Sequence, residues 1–213
     1  MKFSLFLLLS ALACVAARAD APAKPVSVVF ETELGRVTLE VDVARAPITG
    51  GNFLKYVDGK FYDGGVINRA VRRDNTTRHD VEIEVIQWQE NAARRGDLFP
   101  AIPLERTSVT GLKHVNGALS MARAGADTAT ASFFIAIGDQ PELDFAGKRN
   151  ADGQGFAVFG RVVGGMEVVK KIHVSPTGTD GASDILTCPG IRVNPLGDKS
   201  GGGWWWGNRF PWR

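Results

Sequence analysis

The apolar residues of this chain come in short runs broken by glycine, asparagine, aspartate and proline, and that punctuation limits the fold more than any other feature. Val26-Ser27-Val28-Val29-Phe30-Glu31-Thr32 meets Glu33-Leu34-Gly35, after which Arg36-Val37-Thr38-Leu39-Glu40-Val41 alternates strictly between polar and apolar. A period of two buries one face of a strand, and a glycine-bearing turn between two such runs predicts a β-hairpin. Further runs lie at Ile83–Gln87, Ala118–Ala122, Ser132–Ile137 and Phe156–Val163. Two stretches read as helices. One starts at Pro47, a residue suited to the first helical turn, with Phe53, Leu54 and Val57 on one side. Gly50 and Gly51 weaken it by up to about 1 kcal/mol each, so it must rely on packing. The other spans Glu167 to His173 with Val168, Val169 and Ile172 inward. Many short strands with two helices predict a closed barrel or a sandwich, not an alternating βαβ sheet. No internal repeat is visible.

The 213 residues, 44% hydrophobic and 23% charged, suit one globular domain with appendages. Residues 1–19 read as a cleaved secretory signal: Lys2, then an apolar run from Phe3 to Ala13, then the small-x-small site Ala17-Arg18-Ala19. That run is short of the about 20 apolar residues a membrane span requires. Ala11-Leu12-Ala13-Cys14 faintly resembles a lipoprotein site but lacks the usual leucine three places before the cysteine, so a lipid anchor is the weaker reading. Cleavage removes Lys2 and Arg18 and no acid, so 25 basic against 23 acidic residues becomes 23 against 23. A neutral mature chain gives no argument for a nucleic-acid partner, whatever the whole-chain pI of 8.6. With Cys14 in the signal, Cys188 is alone and reads as an idle thiol. Residues 20–25 form an Ala/Pro linker, 26–195 the folded domain, and 196–213 a Gly/Trp-rich tail. Four of the five tryptophans lie in that tail, which shows no periodicity and is expected to be disordered.

Most catalytic constellations are missing from the sequence. His79, His114 and His173 are dispersed, without ligand-like spacing to cysteines or paired acids. There is no Gly-x-Ser-x-Gly elbow, and Gly111 to Gly117 is not a phosphate loop. Asp152-Gly153 near Asn150 is turn chemistry, since no glutamate closes a calcium loop there. The expected activity uses no nucleophile, metal or cofactor.

Leu119-Ser120-Met121-Ala122-Arg123-Ala124-Gly125, followed by Ser132-Phe133-Phe134-Ile135, is similar to the core motif of the cyclophilins. So is Phe156-Ala157-Val158-Phe159-Gly160-Arg161-Val162 ahead of Gly165-Met166, with Leu143-Asp144 upstream. Pro47 to Asn52-Phe53 and Phe61-Tyr62-Asp63-Gly64 resemble the family's first helix and the strand after it. The resemblance covers roughly Val26 to Ile191, in order. The long segment from Arg72 to Gln87 and the run Ile137 to Phe145 resemble the bacterial periplasmic branch most.

This resemblance implies a mainly β fold, a closed eight-stranded antiparallel β-barrel capped by two α-helices, with a substrate groove on its outer face. It implies a peptidyl-prolyl cis-trans isomerase of the periplasm acting on proline-containing polypeptides, without cofactor or metal. The catalytic arginine of the family falls on Arg69, and its groove glutamine on Gln87. The apolar proline pocket falls on Val85, Phe134, Leu143 and Phe156, while Ala122, Arg123 and Ser132 border the neighbouring peptide-binding stretch. Strand parity agrees in part: Val85 and Gln87 share one face, and adjacent Phe133 and Phe134 point oppositely, one for the core and one for the groove.

An arginine suffices for such chemistry. Twisting a peptide bond breaks amide resonance, a barrier of about 18–20 kcal/mol. Uncatalysed X–Pro isomerisation therefore takes tens to hundreds of seconds, roughly. In the twisted state the proline nitrogen regains its lone pair, to which a fixed guanidinium can donate; the planar amide receives much less, so the donor favours the transition state.

The chain also departs from the family. Ile67-Asn68 stands where aromatic residues or a histidine precede the arginine, Arg123 replaces an asparagine, and Trp88-Gln89 occupies the place of a glycine pair. Glu142 sits where some members carry a tryptophan that helps bind cyclosporin, so weak cyclosporin binding is expected. A second reading is a cyclophilin-fold binding or chaperone-like module with little catalysis.

Overall fold

A computed structural model describes residues 24–76, 78–176, 182–187 and 190–194, the last two segments by their backbone. The signal at 1–19, most of the linker, Cys188 and the tail from 196 lie outside the described residues.

The hairpin forms as the alternation requires. Strand β1 (Val26–Thr32) pairs antiparallel with β2 (Gly35–Val41), from Val26 opposite Val41 to Thr32 opposite Gly35. Val28, Phe30, Val37, Leu39 and Val41 are buried on the inner face. Gly35 closes the turn at φ 134°, and a Cβ there would meet Val168 at 3.0 Å, so glycine serves both the backbone and a close helix contact.

Helix α1 (Pro47–Asp58) follows, with Pro47 in its first turn. Its cap residue, Ala46, offers no side-chain acceptor. Glu105 supplies one from a distant loop: its carboxylate accepts from the backbone N–H of Ile48 (3.2 Å) and Thr49 (2.6 Å). A negative charge on otherwise unpaired amides at a helix start is favourable. The two helical glycines differ. A Cβ on Gly50 would meet Val41 at 3.1 Å and Val43 at 3.3 Å, whereas one on Gly51 would meet nothing within 4 Å. Gly51→Ala should therefore raise stability by about 0.5–1 kcal/mol, while Gly50→Ala gains nothing. Paired urea titrations check this, and equal gains at the two positions would contradict the packing.

Strands β3 (Val66–Val71), β4 (Val85–Gln89), β5 (Ala118–Met121), β6 (Phe133–Ala136), β7 (Ala157–Gly164), β8 (Ala182–Thr187) and β9 (Gly190–Asn194) complete one antiparallel sheet, in the order β8-β3-β4-β6-β5-β7-β2-β1-β9. Between them lie a four-residue helix α2 (Thr107–Thr110), helix α3 (Met166–His173) and two 3-10 turns at Ala92–Asp97 and Pro141–Leu143. The chain is thus mainly β with a few helices, one more than the two expected. Phe61 to Gly64 is a turn, not a strand, because the Gly65 amide bonds back to the Tyr62 carbonyl at 2.8 Å; the strand starts at Val66. Strand β4 also begins two residues later than its apolar pattern suggests.

One aromatic cluster fills the inner face. Phe30, Phe53, Tyr62 and Phe133 stand at 5.1–6.2 Å between ring centroids, and Phe159 lies 4.9 Å from Phe53. Trp88, which takes the place of a glycine in the family pattern, belongs here. It is 1% exposed, stacks on Phe133 at 5.5 Å with an interplanar angle of 6°, and meets Phe30 edge-on. Val168, Val169 and Ile172 of α3 join the same core, as do Phe53, Leu54 and Val57 of α1. Among the described residues no helix is long and apolar enough to cross a membrane.

Candidate active site

Cross-strand register sets one row of residues on the outer face. Arg69 of β3 lies opposite Gln87 of β4, Gln87 opposite Phe134 of β6, and Phe134 opposite Ser120 of β5. Neighbouring strands are about 4.8 Å apart, so the row puts a guanidinium, a carboxamide and an aromatic ring within reach of one short ligand.

Arg69 reaches that row through an irregularity. Ile67 pairs with Trp88 and faces the core, and simple alternation would turn Arg69 to the same side. The register shifts between Ile67 and Arg69, leaving Asn68 as an extra residue. A bulge of this kind re-aims the side chains that follow it. Arg69 is thereby turned outward beside Gln87, and Val71 joins the outer apolar cluster. Asn68 bears the cost: its Oδ1 is buried without a hydrogen-bond partner.

Beside the row lies a compact apolar cluster. Val71, Ile83, Val85, Phe134 and Leu143 form a buried cluster separate from the main core, with Ala122 and Phe156 packed against it. The Phe134 and Phe156 rings meet edge-to-face at 5.3 Å and 89°. Every apolar residue assigned to the proline pocket from the sequence is therefore in one cluster, as is Ala122. Phe133 lies in the main core and Phe134 in this outer cluster, on opposite faces as their parity predicts. Ser132 adjoins the pocket: its carbonyl accepts from the Ala122 amide at 2.9 Å, and its hydroxyl donates to the buried Glu90 carboxylate at 3.4 Å.

Arg123 closes the Phe156 side. Its guanidinium stands 5.2 Å from the Phe156 ring centre, Nε donates to the Gly155 carbonyl (2.8 Å), and both Nη atoms engage Asp152 (2.8 and 3.0 Å). The head expected along the peptide-binding stretch is thus committed to the 152–156 loop. Those bonds from Arg123, helped by the Gln154 amide, hold the Asp152 carboxyl at about 2. A depressed carboxyl favours the folded state above the unfolded value of about 3.9 and loses that contribution as pH falls toward 2. Carbon-13 NMR should find Asp152 titrating near 2 and rising toward the ordinary range in Arg123→Ala; an unmoved titration would sever the two.

One group went unnoticed in the sequence. His114, only 2% exposed, places Nδ1 2.7 Å from Asp144 Oδ1 and Nε2 2.9 Å from Ser120 Oγ. An ionised carboxylate only accepts, so Nδ1–H donates to Asp144 and Nε2 accepts from the Ser120 hydroxyl. Burial lowers the imidazole pKa against the opposing pull of Asp144, which favours the neutral ring. Burial would raise the Asp144 carboxyl, but hydrogen bonds from His114 outweigh it and the net shift is downward. The trio has the connectivity of a nucleophilic triad, yet Ser120 is 0% exposed and presents no oxygen to a substrate. Ser120 lies 6 positions and Asp144 30 positions along the chain from His114, so no sequence spacing announces the cluster.

The family model described as "Cyclophilin type peptidyl-prolyl cis-trans isomerase/CLD" matches residues 27–188. A peptidyl-prolyl cis-trans isomerase of Acinetobacter baylyi is 34% identical over 172 residues, 80% of this chain and 84% of its own length. Peptidyl-prolyl cis-trans isomerase B of Escherichia coli is 33% identical over 155 residues, 72% of this chain and 88% of its own. In fold, the chain resembles a Cryptosporidium parvum cyclophilin at TM-score 0.60 and 18% identity, covering 80% of this chain and 98% of that one; a second structure of that protein, at TM-score 0.59, was determined in the presence of the dipeptide Ala-Pro. With a matching family model over most of its length and relatives sharing a third of their residues, the chain belongs to the cyclophilin-type peptidyl-prolyl cis-trans isomerases.

Proposed function

We propose that this protein accelerates rotation about X–Pro bonds in exported polypeptides, with Arg69 stabilising the twisted amide and the Val85, Phe134, Leu143 and Phe156 pocket gripping the proline ring. The observation that carries this is the shared outer face of Arg69, Gln87 and Phe134 beside an apolar cluster separate from the core. Holding the pyrrolidine ring in an apolar pocket fixes one side of the amide while the other turns. Gln87, between arginine and ring, is placed to orient the substrate backbone. Arg69 then donates to the proline nitrogen as its lone pair localises, an interaction far weaker in the planar ground state. No bond forms or breaks.

The same reading takes residues 1–19 as an export signal and the protein as a member of the periplasmic branch, supported by the signal-like composition of that segment and by its bacterial relatives. It takes residues 26–195 as the domain and its sheet as a closed eight-stranded barrel. Strands β8 and β9 lie at opposite ends of the strand order, pairing with β3 and β1, yet only residues 188 and 189 separate them. Three virtual Cα bonds span about 11 Å at most, and so short a connection supports counting β8 and β9 as one strand of a closed barrel. Glu142, whose carboxylate accepts from the Lys148 amide at 2.8 Å, stands where some family members carry a tryptophan, and this supports the expectation of weak cyclosporin binding.

The test is a protease-coupled assay on a proline tetrapeptide. The wild type should speed the cis-to-trans phase and Arg69→Ala should abolish most of that acceleration. Equal rates for the two proteins would remove Arg69 from the chemistry and leave a binding module of the same fold.

A further inference from the structure

We infer that His114 is a positioning residue for the proline pocket: its imidazole, held between Asp144 and Ser120, fixes three of the pocket's walls against one another. This rests on the isomerase reading of the same pocket. The ring contacts two walls directly, lying parallel to Phe134 (5.9 Å, 12°) and edge-on to Phe156 (6.5 Å, 79°). The third wall, Leu143, is set through the backbone. Leu143 sits on the short 3-10 turn between Gln140 and Asp144, and that turn is tied to His114 at both ends. The Gln140 amide donates to the His114 carbonyl at 2.7 Å, while the His114 amide and Nδ1 both donate to Asp144 Oδ1 at 3.2 and 2.7 Å. Ser120 completes the arrangement from β5, next to Phe134 in the cross-strand row.

A flat ring alone would stack on Phe134. The two hydrogen bonds add a fixed rotation of the imidazole about its own axis, and with it a fixed separation between Leu143 and the Phe134 ring. The hydroxyl and carboxylate also explain why a polar ring is present in an otherwise apolar wall. Its buried nitrogens are both satisfied, so the ring adds rigidity without an unpaired donor or acceptor. Lys113 is the other charged group at this point, 3.5 Å from Asp144 on its more exposed side.

The pocket binds the pyrrolidine ring alike in the planar and twisted states, so loosening it should weaken binding and leave the turnover step nearly unchanged. This separates His114 from Arg69, whose loss falls on turnover. The variant His114→Phe keeps a stacked ring and removes both bonds. It should raise KM for a proline tetrapeptide by about tenfold, with kcat within about threefold of wild type. Ser120→Ala, which removes one of the bonds, should raise KM by about threefold. His114→Asn, whose amide keeps the donor to Asp144, should fall between His114→Phe and wild type. A folded His114→Phe protein with wild-type KM, or one whose loss lies in kcat alone, overturns the inference. If that variant does not fold, Ser120→Ala with wild-type KM does the same. Should the wild type itself show no isomerase activity, the functional reading fails separately. The inference is then read from NMR titration of the tetrapeptide against Phe134, where a Kd unchanged by His114→Phe or Ser120→Ala overturns it.

Discussion

Replacing Arg69 by lysine should lower kcat/KM for a proline peptide by about a hundredfold or more, most of it in kcat, although the charge is kept. The reason is geometric. The Asn68 bulge turns the chain so that a side chain at 69 stands opposite Gln87, outside the sheet. From there a planar guanidinium offers N–H groups in a rigid fork, so a donor can be aimed at one nitrogen. Lysine places a mobile ammonium on the same stem, and that ammonium samples many positions while the amide twists. One lost transition-state donor in a fixed site is worth about 3–4 kcal/mol, a factor of a hundred to a thousand. Arg69→Ala should fall at the same level or below. Circular dichroism and Tm, measured on both variants, separate a lost rate from a lost fold. A lysine variant with near-wild-type turnover would mean that a point charge suffices and that the fork is irrelevant.

Trp88→Ala should instead cost about 3–5 kcal/mol of folding stability and lower Tm by about 10 °C or more, with kcat of the folded fraction retained. Trp88 stands opposite Phe133 on β6 and alternates with Val85, Gln87 and Gln89 on β4, so its ring points away from the groove. Removing it leaves a cavity beside Phe30 and Phe133, whose other ring partners, Phe53 and Tyr62, are already held in the same packed cluster. Urea denaturation gives the stability, and the coupled assay below the transition gives the rate. A large loss of kcat at unchanged stability would place the ring in the groove after all. Trp88 is a core residue, buried against Phe133 and on the opposite face of β4 from Gln87.

The separation between these two residues shows how much of the site is local. Parity within a strand is a covalent property of the chain, so the common face of Val85 and Gln87 and the opposite faces of Phe133 and Phe134 were legible from the sequence. The hairpin from Val26 to Val41 and the helices at Pro47 and Met166 were legible for the same reason, since alternation and helical spacing need no partner to be read. The face of Arg69 was not. Whether Asn68 is an extra residue depends on how β3 pairs with β4 and β8, and pairing is a contest among all strands of the sheet. The start of β4 moved for a related reason: Val85 is where its partner, Ala136, ends the β6 ladder, so Ile83 packs in the pocket without strand pairing. The joining of His114, Ser120 and Asp144 was equally invisible, because segments far apart in the chain meet only when the sheet curls around its aromatic core.

The sequence by itself determined which residues are apolar enough to build a mainly β core and which side of each strand they take, because those follow from composition and a two-residue period. Tertiary structure alone decided that a bulge aims Arg69 outward, that Trp88 fills the interior, and that a buried imidazole joins Ser120 and Asp144 beside Phe134 and Phe156. Each of these is a matter of pairing between distant segments, where burial and hydrogen-bond satisfaction are settled by the whole molecule and not by any stretch of it.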